Sequence, residues 1–584
     1  MELALFGVVG VVLIVGAGVF GSKLGVAAPL LLMVVGVGAS FLPGAPTHIP
    51  HEIILLGLLP PILYSAAINV PVIDVRRNFS TISALSVVLV LVTAFITGFL
   101  LYALFPKLTL AGGVAIGAVI SPTDAVAAIA LGKKLGLPPR LVTILEGEGL
   151  VNDATALVLL RSAVAASALA VGEINVGGIV WDFGFSVVVA ILIGLAVGVL
   201  TVFVRSKLHD PVLDTAISLA VPFIAFIPAE FIHASGVLSV VIAGLYSGHH
   251  SAKRFSPQAR ISERLNWRTV QFVLENGVFL LMGLQISAIV RDVQEKSLSI
   301  EQSILFGLLL TAVLIVIRFA FVAPLLLVLR SQPGRAELSQ SRFRATIDRI
   351  RRRTSGHQQT PGVERRFERA ERVYSRRAND IEQLAAEGHG WRGGVVLGWS
   401  GMRGVVTLAA AQSLPDNFEY RAQMVLIAFT VAIVTLLVQG GTLPLVVRLT
   451  GIRGTDRVAD RRELATLLDE MGEAGVAVLE SPGLELPDGE QIDPAVIDRV
   501  RADTLISAES AWERAEHGAG VDGLVHSPLR QYRALRREVL AAEREALLEA
   551  RSSGNYPSRI LVRAQSMLDL EETRLEQIDN PSGS

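Results

Sequence analysis

The chain has 584 residues, of which 51% are hydrophobic and 18% are charged, and its mean hydropathy is +0.54. Soluble globular proteins keep about a quarter of their residues charged, so this composition argues against a soluble protein and indicates one embedded in a lipid bilayer. Cysteine is absent, which excludes disulfides and thiolate metal sites, and the net charge of −1 indicates no particular partner. We expect no cofactor and no nucleic-acid partner.

Apolar stretches of about 17 to 25 residues, the length that crosses the hydrocarbon core, recur over the first 450 residues. We count thirteen candidate spans, which predicts an all-α polytopic membrane domain over residues 1–450. Their cores lie near 3–20, 26–42, 53–68, 82–105, 110–131, 141–171, 179–204, 213–228, 236–248, 269–290, 303–328, 393–413 and 423–447. The first stretch begins at Leu3 with no basic segment before it, so we interpret it as span 1 and not as a signal peptide.

Lys and Arg in the short loops predict the orientation, because basic residues resist translocation and collect on the cytoplasmic side. The loops after spans 1, 3, 5, 7 and 9 hold thirteen basic residues, whereas those after spans 2, 4, 6, 8, 10 and 12 hold four. We therefore expect a protein of the cell (inner) membrane with its N-terminus outside and its C-terminus in the cytoplasm.

Two segments break the membrane pattern. Residues 331–392 contain fourteen Arg against eight acidic residues and are predicted to form a basic cytoplasmic loop. This loop is either a solvated linker or a surface for anionic headgroups, where each basic residue contributes about 1 kcal/mol. Residues 453–584 alternate charge with Leu and Ala at helical spacing, as in 531–550, which predicts a helical cytoplasmic tail. Regulation, dimerisation and solvation remain open as roles of the tail.

Span 5 contains the segment Ser121-Pro122-Thr123-Asp124 in mid-bilayer. A charge at that depth costs at least about 2.5–3.5 kcal/mol on insertion scales, so an acid that persists there usually has a partner or a task. Pro122 lacks an amide hydrogen and clashes with the preceding turn, so the helix is predicted to be interrupted. Interrupted helices carry ion sites in transporters. The alternative is that Asp124 only caps the second half-helix.

Span 6 carries Glu148, Asn152 and Asp153. Glu148 and Asn152 share one helical face, whereas Asp153 lies about 100° further round the helix. A carboxylate that is withdrawn from water can hold either a proton or a dehydrated cation, but not both. Competition between the two ions at one carboxylate is the simplest machinery for an exchanger.

Two arginines lie deep in later spans. Arg318 is about sixteen residues into span 11, too deep to reach the interface, and therefore requires an acidic partner. Arg403 stands in Gly401-Met402-Arg403-Gly404, a glycine-flanked stretch of span 12 that mirrors the break in span 5. Spans 4–6 and 11–13 are thus predicted to be inverted repeats, each with a discontinuous middle helix.

Other charged residues give weaker signals. Arg161 reaches either the outer interface or an acid, and Glu275 is either a paired structural acid or part of the ion path. Glu230 and His233 form a single Glu-x-x-His, whereas di-iron bundles need two such motifs and two more Glu residues. We therefore expect no metal beyond a transported cation.

Three motifs resemble those of the monovalent cation/proton antiporters of the NhaP and eukaryotic sodium/proton exchanger type. They are Ser121-Pro122-Thr123-Asp124, Glu148-Gly149-Leu150-Val151-Asn152-Asp153-Ala154 and Gly401-Met402-Arg403-Gly404. Their order and spacing also fit, and the resemblance covers roughly residues 1–450, without the loop 331–392 and the tail.

The resemblance implies roles for the residues around Asp153. Asp153 matches the ion-binding aspartate, and Asn152 matches the asparagine that marks the electroneutral branch. Thr123 and Asp124 match the unwound helix beside the cation and proton site.

The resemblance also implies a supporting set of charges and an architecture. Glu148 matches an acid that forms a buried ion bridge with an arginine, here Arg318, and Arg403 matches the arginine at the second helix break. The implied protein is a homodimer of thirteen-span chains, in which two crossed, broken helices move against a dimerisation domain. Its implied activity is electroneutral exchange of Na⁺, Li⁺ or K⁺ for H⁺ by alternating access.

Two departures from the family pattern leave the choice of cation open. Ser65 stands where many members have Glu near the ion path, and Gly149 stands where several have Ser. An antiporter that carries mainly K⁺ is excluded by no motif. A cation channel usually repeats one pore element around an axis, whereas this chain has two different breaks in one series of spans. No His-Glu-x-x-His motif or cysteine nucleophile supports an intramembrane enzyme, so we expect a transporter.

Overall fold

The structure is a computed structural model. It describes residues 2–24, 27–42, 50, 52–124, 129, 137–168, 176–208, 210–295, 299–354, 390–452, 457–480, 494–502, 528–553, 564, 568, 570–572 and 575. Every regular element in these ranges is a helix, which confirms the all-α class. The chain divides into two compact units, 1–454 and 455–584.

The first unit consists of helices that follow the predicted spans in chain order. They are α1 (Glu2–Leu24), α2 (Ala28–Ala39), α3 (Ile53–Asn69), α4 (Val72–Arg77), α5 (Phe79–Leu104), α6 (Leu110–Ile120), α7 (Pro139–Ala168), α8 (Val176–Arg205), α9 (Pro211–Phe231), α10 (Gly236–Arg254), α11 (Pro257–Leu284), α12 (Ile286–Glu295), α13 (Ile300–Thr354), α14 (Trp391–Trp399), α15 (Val405–Gln412) and α16 (Arg421–Thr450).

Each predicted span core overlaps one or two of these helices. Seven described helices contain a stretch long and apolar enough to cross a bilayer, and α1, α2, α3 and α6 are shorter apolar helices. Only 28% of the most apolar stretch of α8 is buried within the chain, against 72% for α16, so α8 is peripheral and α16 central. The chain is therefore a multi-pass membrane protein, while the number of thirteen crossings stays a prediction.

Helix α6 stops in the middle of its predicted span because residues 121–124, which include Pro122, are not helical. Helices α14 and α15 are likewise separated by the non-helical residues 400–404. Close packing fixes α6 against α5: a Cβ at Gly98 would lie 2.7 Å from the Val114 Cα, and neither Gly113 nor Gly117 leaves room for one.

Buried apolar side chains form two main cores. The larger core joins α5, α6 and α7 to α13, α14, α15 and α16, which we call the site bundle, and it also includes side chains of α2, α11 and α12. The other joins α3, α8, α9 and α10, which we call the second bundle. Leu150 and Ala154 of α7 pack into the second core, whereas Leu159 and Leu160 pack into the first. Helix α7, which carries Glu148, Asn152 and Asp153, therefore lies at the boundary of the two bundles.

The two segments outside the predicted membrane pattern are helical where they are described. Helix α13 continues to Thr354, well into the basic segment 331–392, and residues 355–389 lie outside the described residues. The second unit contains α17 (Arg457–Leu479) and α18 (Pro528–Ser553), in agreement with a helical tail.

Candidate functional site

The two helix breaks are joined by an exchange of hydrogen-bond partners. In a continuous helix the Asp124 amide would donate to the Ile120 carbonyl oxygen. Here the Asp124 amide donates to the Met402 carbonyl oxygen at 2.7 Å. Ile120 instead accepts from the Arg403 Nε at 2.8 Å, and another guanidinium nitrogen of Arg403 donates to the Gly401 carbonyl oxygen. One arginine thus satisfies carbonyl groups at both breaks.

Helix α15 begins against the side chain of Asp124. A Cβ on Gly404, the residue before α15, would overlap the Asp124 carboxylate, so only glycine fits there. The Arg403 amide donates to Thr435 Oγ1 at 3.0 Å, which ties the break to α16. A carboxylate at this place is stabilised by the positive N-terminal end of the helix dipole. The Asp124 carboxylate thus lies beside the N-terminal end of α15.

Glu148 and Arg318 form a two-point ion pair in the interior. Arg318 Nη1 donates to Glu148 Oε1 at 2.6 Å and Arg318 Nη2 donates to Glu148 Oε2 at 2.9 Å. Both residues are 2% exposed. Arg318 Nε donates to the Leu397 carbonyl oxygen at 3.1 Å, and Thr123 Oγ1 donates to Glu148 Oε1 at 2.6 Å. This carboxylate is therefore fully engaged by a cation and a hydroxyl.

Thr123 also links the break in α6 to Asn152. Asn152 Nδ2 donates to the Thr123 carbonyl oxygen at 2.8 Å and lies 3.0 Å from Thr123 Oγ1. A carbonyl can only accept, so these contacts fix which end of the amide is the nitrogen. The Asn152 Oδ1 is buried and has no hydrogen-bond partner among the residues that the structure describes. It is therefore an oxygen that still has a lone pair to offer.

Asp153 differs from Glu148 in its surroundings. It is half-buried, and within the described residues its carboxylate makes no hydrogen bond or ion pair. Burial withdraws it from water, and the like charge of Asp124 adds a repulsion. Asp153 is thus an acid near the breaks whose charge no described residue neutralises.

A small cavity lies between the ion pair and the helix breaks. Its volume is about 10 Å³, which is about the room that one water-sized body requires. Its polar lining consists of Thr93, Ser121, Thr123, Glu148, Arg318 and Arg403. A hydrated cation does not fit, so any ion that reaches this space has lost its water shell.

The other charged residues of the sequence analysis lie outside this site. Arg161 pairs with Glu230, and Glu275 accepts a hydrogen bond of 2.7 Å from Gln271. Among the described residues, no group of three His, Asp or Glu side chains is suited to hold a metal ion.

Sequence reasoning missed two sets of contacts, one in this site and one outside it. The partners of Arg403 and Arg318 include the carbonyl groups of Ile120 and Leu397, and backbone atoms carry no signature in a sequence. The second omission is a buried ion network of α8, α9 and α11, where Arg205 contacts Asp214 at 2.7 Å and Glu263 at 2.6 Å.

Arg205 ends α8, and in the sequence it looks like a loop charge. It is 1% exposed because Asp214 lies nine residues further, at the start of the next helix, and turns back onto it. The sequence does contain a signal for this pair, because an acid near the start of one span, Asp214, follows a base at the end of the preceding span, Arg205.

Comparisons with known proteins agree with this geometry. A family model described as sodium/hydrogen exchanger, transmembrane, matches residues 9–449. An uncharacterised Na⁺/H⁺ exchanger of Mycobacterium bovis is 28% identical over 586 residues, covering 98% of this chain and 96% of that relative. A sodium, potassium, lithium and rubidium/H⁺ antiporter of Bacillus pumilus is 28% identical over 309 residues, 50% of this chain and 45% of that relative.

The fold is also similar to a solved one. The sodium proton antiporter MjNhaP1 of Methanocaldococcus jannaschii matches with a TM-score of 0.51 at 16% identity, over 77% of this chain and 100% of that chain. At this level of identity the match shows that the two chains share a fold. Because the family model spans most of the chain and includes both helix breaks, the chain belongs to the sodium/hydrogen exchanger family.

Proposed function

We propose that this chain exchanges Na⁺ for H⁺ across the cell membrane, and that the two ions compete for the Asp153 carboxylate. Membership of a sodium/hydrogen exchanger family supports cation/proton exchange as the class of activity. The identity of the cation, the competition at Asp153 and the absence of net charge movement are our proposals.

The contrast between Glu148 and Asp153 carries the proposal. Both acids lie on α7, five residues apart, yet Glu148 is neutralised by Arg318 while Asp153 has no such partner among the described residues. Separating a buried ion pair leaves two uncompensated charges and destabilises the protein. Glu148 is therefore poorly suited to exchanging Arg318 for a transported cation in each cycle. An acid without a fixed partner can take a proton or a cation from either side.

The residues around Asp153 offer oxygen ligands of the kind that hard cations prefer. Asn152 presents a buried Oδ1 that has no partner among the described residues, and the Thr123 hydroxyl lies 3.0 Å from the amide nitrogen of the same side chain. In this proposal the cation binds to Asp153 with help from these neutral oxygens, while Asp124 stays with the start of α15. Proton binding to Asp153 removes the charge that holds the cation, which couples the two movements.

The proposed cycle alternates access to Asp153 between the two sides of the membrane. The position of α7 at the boundary of the two bundles supports it, because a displacement of one bundle against the other would carry Asp153 with it. We further propose a homodimer in the cell membrane, with the N-terminus outside and the tail in the cytoplasm.

K⁺ is the second candidate cation. The relative from Bacillus pumilus is named for sodium, potassium, lithium and rubidium, so such breadth occurs in a similar chain. Ser65, which stands where many members of the family have Glu, donates its hydroxyl hydrogen to the Ile62 carbonyl oxygen at 2.7 Å. It is therefore occupied within its own helix and supplies no charge that would favour a small cation.

Everted membrane vesicles that contain the protein test the proposal. A pH gradient is established and followed with a dye, and Na⁺, Li⁺ or K⁺ is added in turn. We expect Na⁺ to dissipate the gradient with the wild-type chain but not with Asp153→Asn. The matched control is Asp182→Asn, the same change at an exposed acid of α8, which should exchange like the wild type. Full exchange by Asp153→Asn would refute the competition, and a response to K⁺ alone would replace Na⁺ as the substrate.

A further inference from the structure

An ion pair outside the ion site connects the two bundles. Arg161 belongs to α7 in the site bundle, and its guanidinium donates to Oε2 of Glu230, which ends α9 in the second bundle. At 1.5 Å per residue, Arg161 lies about 12 Å further along α7 than Asp153. The pair is therefore at one end of the bundle boundary and separate from the residues proposed to bind ions.

Glu230 is held in place by the backbone of the second bundle. Its Oε1 accepts a hydrogen bond of 3.0 Å from the Gly236 amide at the start of α10. A Cβ on Gly236 would lie 2.8 Å from the Glu230 Cγ, so the glycine makes room for the acid. The turn between α9 and α10 is tight, with His233 at a φ of 61°. Glu230 is thus a fixed anchor that Arg161 approaches from the other bundle.

A second polar contact lies at the same end. Helices α7 and α9 run in the same direction because α8 returns the chain between them. In the predicted topology α11 and α15 run in this direction too, so the C-terminal ends of all four helices lie on one side. Gln412, at the end of α15 in the site bundle, donates to Gln285, which directly follows α11. Helix α11 packs on α2 and α3. Because α11 contributes apolar side chains to both cores, the Gln412–Gln285 contact does not link the two bundles. The Arg161–Glu230 pair does link them at this end, which the loop charges predict to be external.

We propose that the Arg161–Glu230 ion pair is a latch that holds the external end of the bundle boundary closed while the site faces the cytoplasm. The inference rests on the proposed exchange by alternating access. For Asp153 to face the outside, the site bundle must separate from the second bundle at this end. The latch must then open once in each cycle.

The exposure of the pair suits a contact that opens repeatedly. The Arg161 side chain is 51% exposed and that of Glu230 is 22% exposed, so water can solvate both charges when they part. Exposed pairs of this kind shift an equilibrium by about two- to five-fold. A latch of this strength biases the protein toward the cytoplasm-facing state without stalling the cycle.

Cross-linking tests whether the contact must open. The chain has no cysteine, so Arg161→Cys with Glu230→Cys introduces the only pair of thiols. A short bifunctional thiosulfonate reagent should join the two positions and reduce exchange at least ten-fold, and a reductant should restore it. The matched control is Thr215→Cys with Asn266→Cys. The native side chains at these positions are 3.4 Å apart, and they lie on α9 and α11, neither of which belongs to the site bundle. Cross-linking of the control should leave exchange unchanged.

Three outcomes of this experiment overturn the latch. They are failure of the Arg161 and Glu230 positions to cross-link, exchange that survives their cross-linking, and equal loss of exchange in the control pair. Absence of exchange in the wild-type chain would instead refute the proposed function itself, and the latch with it.

Sided kinetics test the bias. Glu230→Gln keeps an oxygen for the Gly236 amide but removes the charge, so the fold of the turn is retained. We expect the apparent KM for the external cation to fall about two- to five-fold while the cytoplasmic apparent KM rises, because the outward-facing state gains population. Arg161→Gln removes the other charge of the pair without touching this turn, and it should shift both values in the same directions. Equal changes on both sides, or none, would overturn the latch.

Discussion

The Arg403 guanidinium donates a hydrogen bond of 2.8 Å to the Ile120 carbonyl oxygen, although the two residues are 283 positions apart. The amide that would serve this carbonyl in a continuous helix, that of Asp124, is bonded to Met402 instead. Each break therefore provides a hydrogen-bond partner for a backbone group of the other break. The crossing is held by backbone groups that neither helix can satisfy alone, at a depth where an unsatisfied group is costly.

Arg403→Lys should weaken the crossing. Lysine keeps the charge but lacks the planar fork that reaches two carbonyl oxygens at once. Leaving one of them without a partner costs about 1–3 kcal/mol, so we expect a lower thermal midpoint in detergent and reduced exchange. The control is Arg448→Lys in the last turn of α16. A midpoint for Arg403→Lys equal to that of the control would contradict the role assigned to the guanidinium.

Gly404→Ala should disrupt the packing of Asp124 against the start of α15. The added methyl group has no room there, because it would overlap the Asp124 carboxylate. We expect loss of exchange together with reduced folded yield. Gly184→Ala is the matched control, since nothing lies within 4 Å of the methyl group and alanine favours a helix by about 0.5–1 kcal/mol. If both variants behave alike, the contact between Gly404 and Asp124 is not structural.

Glu148→Gln and Arg318→Ala should each lower the folded yield. Removal of one partner leaves a buried charge uncompensated, which costs about 3–5 kcal/mol. Glu301→Gln, at an exposed acid of α13, provides the control for the loss of charge. The measurement is the fraction of monodisperse protein after extraction in detergent. Wild-type yield from both single variants would show that the pair does not stabilise the fold.

The sequence predicts this ion pair but not the contacts that surround it. Arg318 is too deep to reach water, so its need of an acid can be inferred from position alone, and motif resemblance supplies Glu148. The Leu397 carbonyl that accepts from Arg318 Nε could not be inferred, because it depends on how α13 crosses α14. Hydrophobic runs locate helices well, whereas partners across a helix boundary depend on tertiary packing.

The helix breaks show the same limit. Pro122 indicates an interruption in α6, and the glycines around Arg403 indicate another, so both were predictable as local features. Their joining through Ile120 and Met402 involves only main-chain atoms, for which every residue type is equivalent. Arg205 illustrates the converse error, because a charge at a span end looks like a loop residue until its partner Asp214 folds back onto it.

The predicted orientation can be checked with single cysteines in a chain that otherwise has none. Lys107→Cys, in the exposed loop after α5, should react with an impermeant thiol reagent added outside intact cells. Arg76→Cys, exposed at the end of α4, should react only after the membrane is made permeable. The opposite pattern would invert the topology, and with it the assignment of the Arg161–Glu230 latch to the external end.

The proposed competition at Asp153 makes a prediction about membrane potential. Asp153 with one bound proton and Asp153 with one bound monovalent cation carry the same charge, so both forms should cross equally at any potential. If two protons were exchanged for one cation, each cycle would move one charge, and 100 mV would contribute about 2.3 kcal/mol to it. Such a contribution corresponds to roughly a fifty-fold change in an equilibrium constant. The two stoichiometries are therefore easy to separate.

The measurement uses vesicles in which the potential is set with valinomycin and a K⁺ gradient, and Na⁺ is the exchanged cation. Exchange by the wild-type chain should proceed at the same rate at zero potential and at 100 mV of either sign. Vesicles with Asp153→Asn give the leak, which is subtracted, and Asp182→Asn gives the control for loss of an acid elsewhere. The Glu148–Arg318 pair contributes no charge because its two charges cancel and move together. A rate that rises with one sign of the potential would require a second titrating acid, and Asp124, which repels Asp153, would be the first to examine.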